Sequence, residues 1–369
     1  MKVWGNVMNT TRVEHRREGG QTLLIFVLAL TVLLGFTAMA IDVGLFFEDR
    51  RHLQNTADAA ALAGVSELPG NPALAKSKAA EWAAKHGLSS SEIKTIQVRT
   101  TDYPNDTMYV EVQRQFSWVF GRVLGKTTSS VPASAAAQVG SLSGTSNLMP
   151  WAMVLGDSAC LTPTGTPIVD VNCSVKVGAG IGTTGWYGAL DLDGNGGGSA
   201  EYQSRIIDGM AKTVYCAQGQ TDPNCQTSVV DALDGNKVGG TGHGIDQRLS
   251  AEPTPGCDKN GNGKDDFSEV FGLNPSGIPK YSVACPGSPR IIIVPIVTLN
   301  GSPVQTVTIK GWALAYLQSY SCVGGTNCTA GKGHWEVQVT IVDAIYSQSA
   351  SFMGAFNPLS SVAVRRLIE

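Results

Sequence analysis

The sequence predicts an α+β, membrane-anchored protein: an N-terminal transmembrane helix continuing as an amphipathic helix, a small α+β unit, and a mostly β domain held by disulfides. Three observations carry this. Residues 22–41 contain no charged side chain, all eight cysteines fall at residue 160 or later, and runs of alternating, β-branched residues follow one another among 43 glycines and 17 prolines. At 369 residues, 43% hydrophobic and 15% charged, the chain can bury sizeable cores and is not disordered by composition. A net charge of −3 offers no basic surface to nucleic acid.

The apolar segment "TLLIFVLALTVLLGFTAMAI" is about 20 residues long, and at ~1.5 Å per residue it reaches the ~30 Å of a bilayer core. Lys2, Arg12, Arg16 and Arg17 precede it, while Asp42, Glu48 and Asp49 follow, against the milder bias of Arg50 and Arg51. The positive-inside rule then puts the N-terminus in the cytoplasm and everything after Asp42 outside. "AMA" at 38–40 has the small-x-small look of a signal cleavage site, but the apolar run exceeds the roughly 7–15 residues of a signal core.

Beyond Asp42, the residues Phe46, Leu53, Ala57, Ala60 and Gly64 recur at helical spacing, with Ala61 beside them, so the membrane helix is expected to run on as one amphipathic rod. Small residues on that face let another backbone approach closely, either the chain's own next domain or a partner helix. "LPGNP" breaks the rod. Asn71 as N-cap and Pro72 at the first helical position open a second helix that ends before Gly87. "IKTIQVRT", "TMYVEVQRQFSWVF" and "SSVPASAAAQVG" then read as a small antiparallel sheet around a "DYPND" turn. The expected organisation is a cytoplasmic arm (1–21), the transmembrane helix (22–41), a pilin-like helix and sheet (42–140), a Gly/Ser linker (141–147) and a cysteine-bearing, mostly β exported domain (148–369). In that last part "PWAMVL", "RIIIVPIVTL", "VTIKGWALAYLQ" and "HWEVQVTIVDAIY" are the strand runs.

Gly20–Gln21, the apolar run, Asp42 and Gly44 as Asp-x-Gly, and "LQNTADAAALAG" with Gln54, Asn55 and Asp58 follow one another within the first 65 residues. In this pattern the segment resembles the TadE/TadG-like family of tight-adherence (Flp-type) pilus assembly proteins. "SWVFGRVLGKTTSSVPASAAAQV" looks like the close of the same module, and "GWYGALDLDGNGGGSAEYQ" and "GGTGHGIDQRL" look more loosely like exported regions of some relatives. Ile25 stands where prepilin substrates carry a Glu, five residues after the Gly. The resemblance implies a non-enzymatic, single-pass protein of the inner membrane, with its N-terminus cytoplasmic. Its partners would be the lipid bilayer and other pilin-like or pilus assembly proteins.

Among residues that could carry chemistry, Cys160, Cys173, Cys216, Cys225, Cys257, Cys285, Cys322 and Cys328 form an even set without a C-x-x-C pair, which favours disulfides over zinc. Close spacing favours pairing each with its neighbour, among roughly a hundred connectivities that remain open. "DKNGNGKDDFSE" fits the twelve-residue calcium loop: Asp258, Asn260, Asn262, Lys264 (through its carbonyl), Asp266 and Glu269 as oxygen ligands, Gly263 at the sharp turn, and Asp265 at the normally aliphatic eighth position. "DLDGNGGGSAEY" begins alike but closes on Tyr202, and reads as a glycine turn. His243 and His334 sit in glycine-rich stretches expected to be loops, with no G-x-S-x-G elbow to supply a nucleophile. A membrane-tethered, calcium-dependent adhesin is the alternative function, and a tethered exported hydrolase the third.

Overall fold

A computed structural model describes residues 21–145, 148–176, 186–192, 194, 196, 198–209, 215–219, 227–235, 237–274, 279–328, 332–346 and 351–368. The N-terminal arm with Gly20, the linker residues 146–147, Cys225 and the stretch 178–185 lie outside the described residues.

Helix α1 (Gln21–Val65) is one uninterrupted helix of 45 residues, and its first half is long and apolar enough to cross a membrane. Helix α2 (Pro72–Lys85) begins as the sequence predicts: the Asn71 side chain accepts from Leu74 N at 3.0 Å, Pro72 opens the helix, and Gly87 follows its end at φ +84°. The three predicted strands are β1 (Ile93–Arg99), β2 (Thr107–Ser117) and β3 (Thr128–Thr145). In the turn between β1 and β2 the Asp106 carboxylate accepts from the backbone N–H groups of Thr101, Asp102 and Tyr103 at 2.8–3.0 Å. After β3 come β4 (Met153–Val154), β5 (Asn172–Lys176), β6 (Leu190–Asp191), α3 (Ser199–Asp208), β7 (Tyr215–Cys216), β8 (Val229–Ala232), α4 (Val238–Leu249) and α5 (Phe267–Val270). The chain closes with β9 (Phe271–Leu273), β10 (Tyr281–Val283), β11 (Ile291–Asn300), β12 (Thr306–Asn327), β13 (Lys332–Val342), β14 (Ala344–Ile345), β15 (Ser351–Gly354) and β16 (Val362–Leu367).

Two compact units result: Met1–Leu53 with Gln113–Ala133, and Gln54–Val112 with Ser134–Glu369. This differs from the boundary expected at 141–147. Residues 140–145 are no linker but the buried end of β3, paired with β16, β15 and β7. Their small side chains serve packing rather than flexibility: a Cβ on Gly140 would run into the Gly354 carbonyl oxygen and sit 3.0 Å from Met353. The strand order β1-β2-β3-β16-β14-β10-β9 therefore joins strands of the presumed pilin-like module to strands from the end of the chain.

In the larger unit a second sheet runs β4-β11-β12-β13-β5, with β8 on β12 and β6 on β8. It is buried on both faces. Along β11, Ile291, Ile293 and Val297 enter one core and Ile292, Val294 and Ile296 the other; β12 divides Trp312, Leu314 and Tyr316 from Ala313, Ala315 and Leu317 in the same way. Two-sided burial explains why these strands read as continuous apolar runs instead of alternating ones. The first core is completed by Leu142, Phe271, Ala344 and Val362 of the other sheet, the second by Tyr202 and Ile206 of α3 and Ile245 of α4. The layers are thus helices, sheet, sheet.

Helix α4 is a correction. "VGGTGHGIDQRL", expected to be a loop, is helical because its glycines bring α3 and the sheet within touching distance. A Cβ on Gly240 would meet Ser199 O at 2.9 Å, on Gly242 the Trp335 ring at 2.7 Å, and on Gly244 Ile206 at 2.9 Å. His243 is therefore an exposed helical residue, and His334 likewise belongs to a strand, β13.

The small-residue face of α1 is spent inside the chain. Leu53, Ala57, Ala60 and Ala61 are fully buried, as are Ala75, Ala79 and Ala83 of α2, and a Cβ on Gly64 would lie 2.9 Å from Ala75 O and 3.0 Å from Ala79 Cβ. Gly64→Leu is accordingly expected to overpack this contact and lower the unfolding free energy by about 1–3 kcal/mol or more. Gly44→Ala, with nothing within 4 Å of the new Cβ, should leave it unchanged or raise it slightly. Thermal and denaturant unfolding of the two variants checks the pair.

Candidate functional site

The foot of the apolar segment is fastened by one carboxylate. Asp42 is the first charged residue after the apolar run and is only 3% exposed. A buried carboxylate needs donors, and here three consecutive backbone N–H groups supply them: Val119 at 3.0 Å, Phe120 at 3.0 Å and Gly121 at 2.7 Å. Four residues on, Phe46 stacks on Trp118 with ring centroids 5.8 Å apart and meets Phe116 edge-on at 5.5 Å. Three residues further, Asp49 accepts from Arg114 at 2.8 Å. Trp118 Nε1 donates to Ser129 Oγ at 2.7 Å.

Asp42, Phe46 and Asp49 extend the face of Leu53, Ala57, Ala60 and Gly64 at the same three- and four-residue spacing. Periodicity of apolar residues alone passed over the two carboxylates. The readable signal was their place on an otherwise apolar face, which demands a donor partner elsewhere in the chain. Of the family-motif positions, Asp42 carries the anchor and Gln54 bridges Asp58 Oδ1 (2.9 Å) and Ser134 O (2.8 Å). Asn55 is exposed, and Gly44 faces open space.

The side chains of the stretch expected to bind calcium, 258–269, are bonded mainly to its own backbone. Asp258 accepts from the N–H groups of Gly261 (2.7 Å), Asn262 (3.2 Å) and Gly263 (2.9 Å), closing the loop on its first residue. Glu269 Oε1 accepts from Lys259 N and Asn260 N, and its Oε2 from Asp266 N, where it forms a capping box at the start of α5. Asn260 and Asn262 both donate from Nδ2 to Asp266 Oδ2 at 2.7 Å, while Lys264 N donates to Asn262 Oδ1. Gly263 takes φ +77° with empty space around it, so the position needs glycine for conformation rather than room. The second, similar stretch is the glycine turn expected: Asp191 accepts from Gly194 N and Gly196 N, and Tyr202 is buried in α3.

Asp265, the unexpected eighth residue, faces the opposite way. It is fully buried and holds Thr254 through its N–H (2.9 Å) and its hydroxyl (2.6 Å), next to the Cys257–Cys285 disulfide. Its carboxylate and the two sulfurs lie within 4.8 Å of one another, but bonded cysteines offer a metal no thiolate. Nearby, Arg290 pairs with Glu252 and donates to Leu317 O at 2.9 Å. Cys160–Cys173 and Cys322–Cys328 are the other described disulfides, with Cα separations of 5.5 and 5.7 Å. Cys216 is also disulfide-bonded, and Cys225, the partner its spacing favours, lies outside the described residues.

Burial pushes the Asp265 carboxyl up, but hydrogen bonds from Thr254 and Ser288 and the charge of Arg290 outweigh it, leaving it below the usual carboxylate range. A carboxyl held lower in the folded than in the unfolded chain adds stability above the unfolded pKa, lost as pH falls through the folded one. Asp265→Asn is therefore expected to cost roughly 1–3 kcal/mol at pH 7, with the gap to the parent narrowing below about pH 4. Denaturant unfolding at pH 7 and pH 3 reads both numbers.

Compared with known proteins, residues 20–67 match the family model described as Tad, Putative Flp pilus-assembly TadE/G-like. The matched segment is α1 and the turn that ends it. No curated protein matches the chain, and no solved structure does.

Proposed function

We propose that the chain is a non-enzymatic, single-pass envelope protein that acts in the assembly or anchoring of a Tad/Flp-type pilus or a related secretion apparatus. The observation that carries this is the coincidence of the family match at 20–67 with α1, a helix whose first half is apolar on all sides and whose second half is fastened to its own chain. Placing the N-terminus in the cytoplasm puts the disulfide-bonded unit on the oxidising side, in agreement with its cysteines. With the small-residue face already occupied, contact with other pilus assembly proteins falls to the apolar half of α1 and to the outer surface of the larger unit.

In this reading the loop at 258–269 binds calcium and rigidifies the larger unit. What supports it is the calcium-loop spacing of Asp258, Asn260, Asn262, Asp266 and Glu269 along a turn closed on its first residue, which supplies oxygen donors for an ion that takes six to eight. Calcium that binds only the folded chain should stabilise it by about 2.7 kcal/mol at a hundredfold excess over Kd. The expected result is a melting temperature that rises with calcium in the parent and not in Asp258→Asn or Glu269→Gln; a parent indifferent to calcium removes the ion from the account.

The function itself is tested by deleting the chain in its host and counting surface filaments by electron microscopy. Loss of filaments, restored by the full chain, is expected; normal filaments, with loss only of calcium-dependent attachment, would favour the adhesin instead.

A further inference from the structure

The smaller unit carries an apolar surface that its own packing does not explain. Between Trp118 and Lys126 the chain leaves β2, makes a single 3₁₀ turn at Gly121–Leu124, and returns to β3. Val123 is 87% exposed and Leu124 76%, with Val119 and Phe120 exposed beside them. A loop in water would place polar residues at such a tip. Arg122 and Lys126, also exposed, flank the apolar pair.

The loop is not free to choose its place. Three of its N–H groups are held by Asp42, the residue at which the charge-free half of α1 ends. From that point it folds back along the apolar half: a groove of about 560 Å³ is lined by Gly35, Ala38, Met39 and Val43 of α1 and by Phe120, Val123, Leu124 and Lys126 of the loop. Gly35 lies seven residues before Asp42, about 10 Å along a helix axis at ~1.5 Å per residue. That is the depth, roughly 5–10 Å, to which interfacial apolar elements sink beside the headgroups. Trp118 at the rim has the composition of a membrane-interface anchor.

We infer that this loop and the last apolar turns of α1 form a phospholipid-binding site at the membrane surface: an acyl chain fills the groove, and an anionic headgroup meets Arg122 and Lys126. The inference rests on the reading that α1 crosses a bilayer, because the groove is continuous with the lipid-facing helix. The occupant is lipid and not a second helix, since Lys126 lining an apolar slot at this depth, with Arg122 exposed two residues before Leu124, complements a phosphate at the head of an acyl chain.

The full chain, with Leu124 exchanged for the photoreactive p-benzoylphenylalanine, is reconstituted in phosphatidylethanolamine/phosphatidylglycerol vesicles, irradiated, and digested for mass spectrometry. A second preparation carries the same group at Leu33. Lipid adducts at both positions are expected. Changing Arg122→Gln together with Lys126→Gln should lower the phosphatidylglycerol share of the adducts at 124 by about fivefold or more. Adducts at 33 with none at 124, or adducts at 124 to a second copy of the chain, overturn the site while leaving the anchor in place. Absence of lipid adducts at 33 removes the membrane-spanning reading, and the site with it. An unchanged phosphatidylglycerol share removes the headgroup contact.

Discussion

A helix that passes from hydrocarbon into water must change what satisfies it along its own length, and in this chain the change happens at Asp42. Upstream, every side chain from Leu23 to Ile41 is without charge, so nothing in the helix objects to lipid. At Asp42 a carboxylate is introduced and at once consumed by three backbone donors. From there to Gly64 one face is committed, turn by turn, to the rest of the chain: a carboxylate cap, an aromatic stack, an ion pair, then small residues that admit α2. A side chain larger than glycine at 64, or an uncharged one at 42, interrupts this sequence at a place where nothing substitutes for it.

The larger unit solves a different problem, how to cover a sheet that is apolar on both sides. The strands β11 and β12 send alternate residues into two cores, so each face needs its own cover. On one side a second sheet supplies it, on the other α3 and a glycine-rich α4. Glycines are poor helix formers, and their presence in α4 costs stability as a helix. They are retained where a Cβ would collide with Ser199, Trp335 or Ile206, so close approach between layers outweighs propensity. The half-buried Arg248 has the same logic. Its guanidinium is spread over the carbonyls of Pro289, Ile206, Ile207 and Ile291, tying α3 and α4 to the sheet edge, while burial pulls its pKa down to about 10.

Much of this was legible in the residues. The length of α1, the Asn71–Pro72 start of α2, strands β1 to β3 and the long apolar strands β11 and β12 follow from periodicity and capping chemistry, while spacing favoured the pairing of Cys160–Cys173, Cys257–Cys285 and Cys322–Cys328 without choosing it. The errors share one cause. "GSLSGT" and "GGTGHGID" read as loop because glycine and serine lack side chains to announce a partner; the first is buried in a strand and the second packs Gly240, Gly242 and Gly244 inward in a helix, where absence of bulk is what the packing requires. Burial of the small face of α1 by α2 was one of two readings the sequence left open, since a stripe of alanines looks the same whichever helix it meets. The inward turn of Asp265 was not legible, because its partner Thr254 lies before the motif begins.

The three described disulfides join cysteines that are consecutive along the chain, across separations of 13, 28 and 6 residues. None of them has to wait for a distant segment. A polypeptide that is made, or crosses a membrane, from its N-terminal side onward presents each pair within a short interval, and a cross-link between neighbours encloses no later part of the sequence. The covalent frame can therefore be laid down in the order of emergence, with little opportunity for mispairing and little need for reshuffling once the last strands arrive to close the sheets.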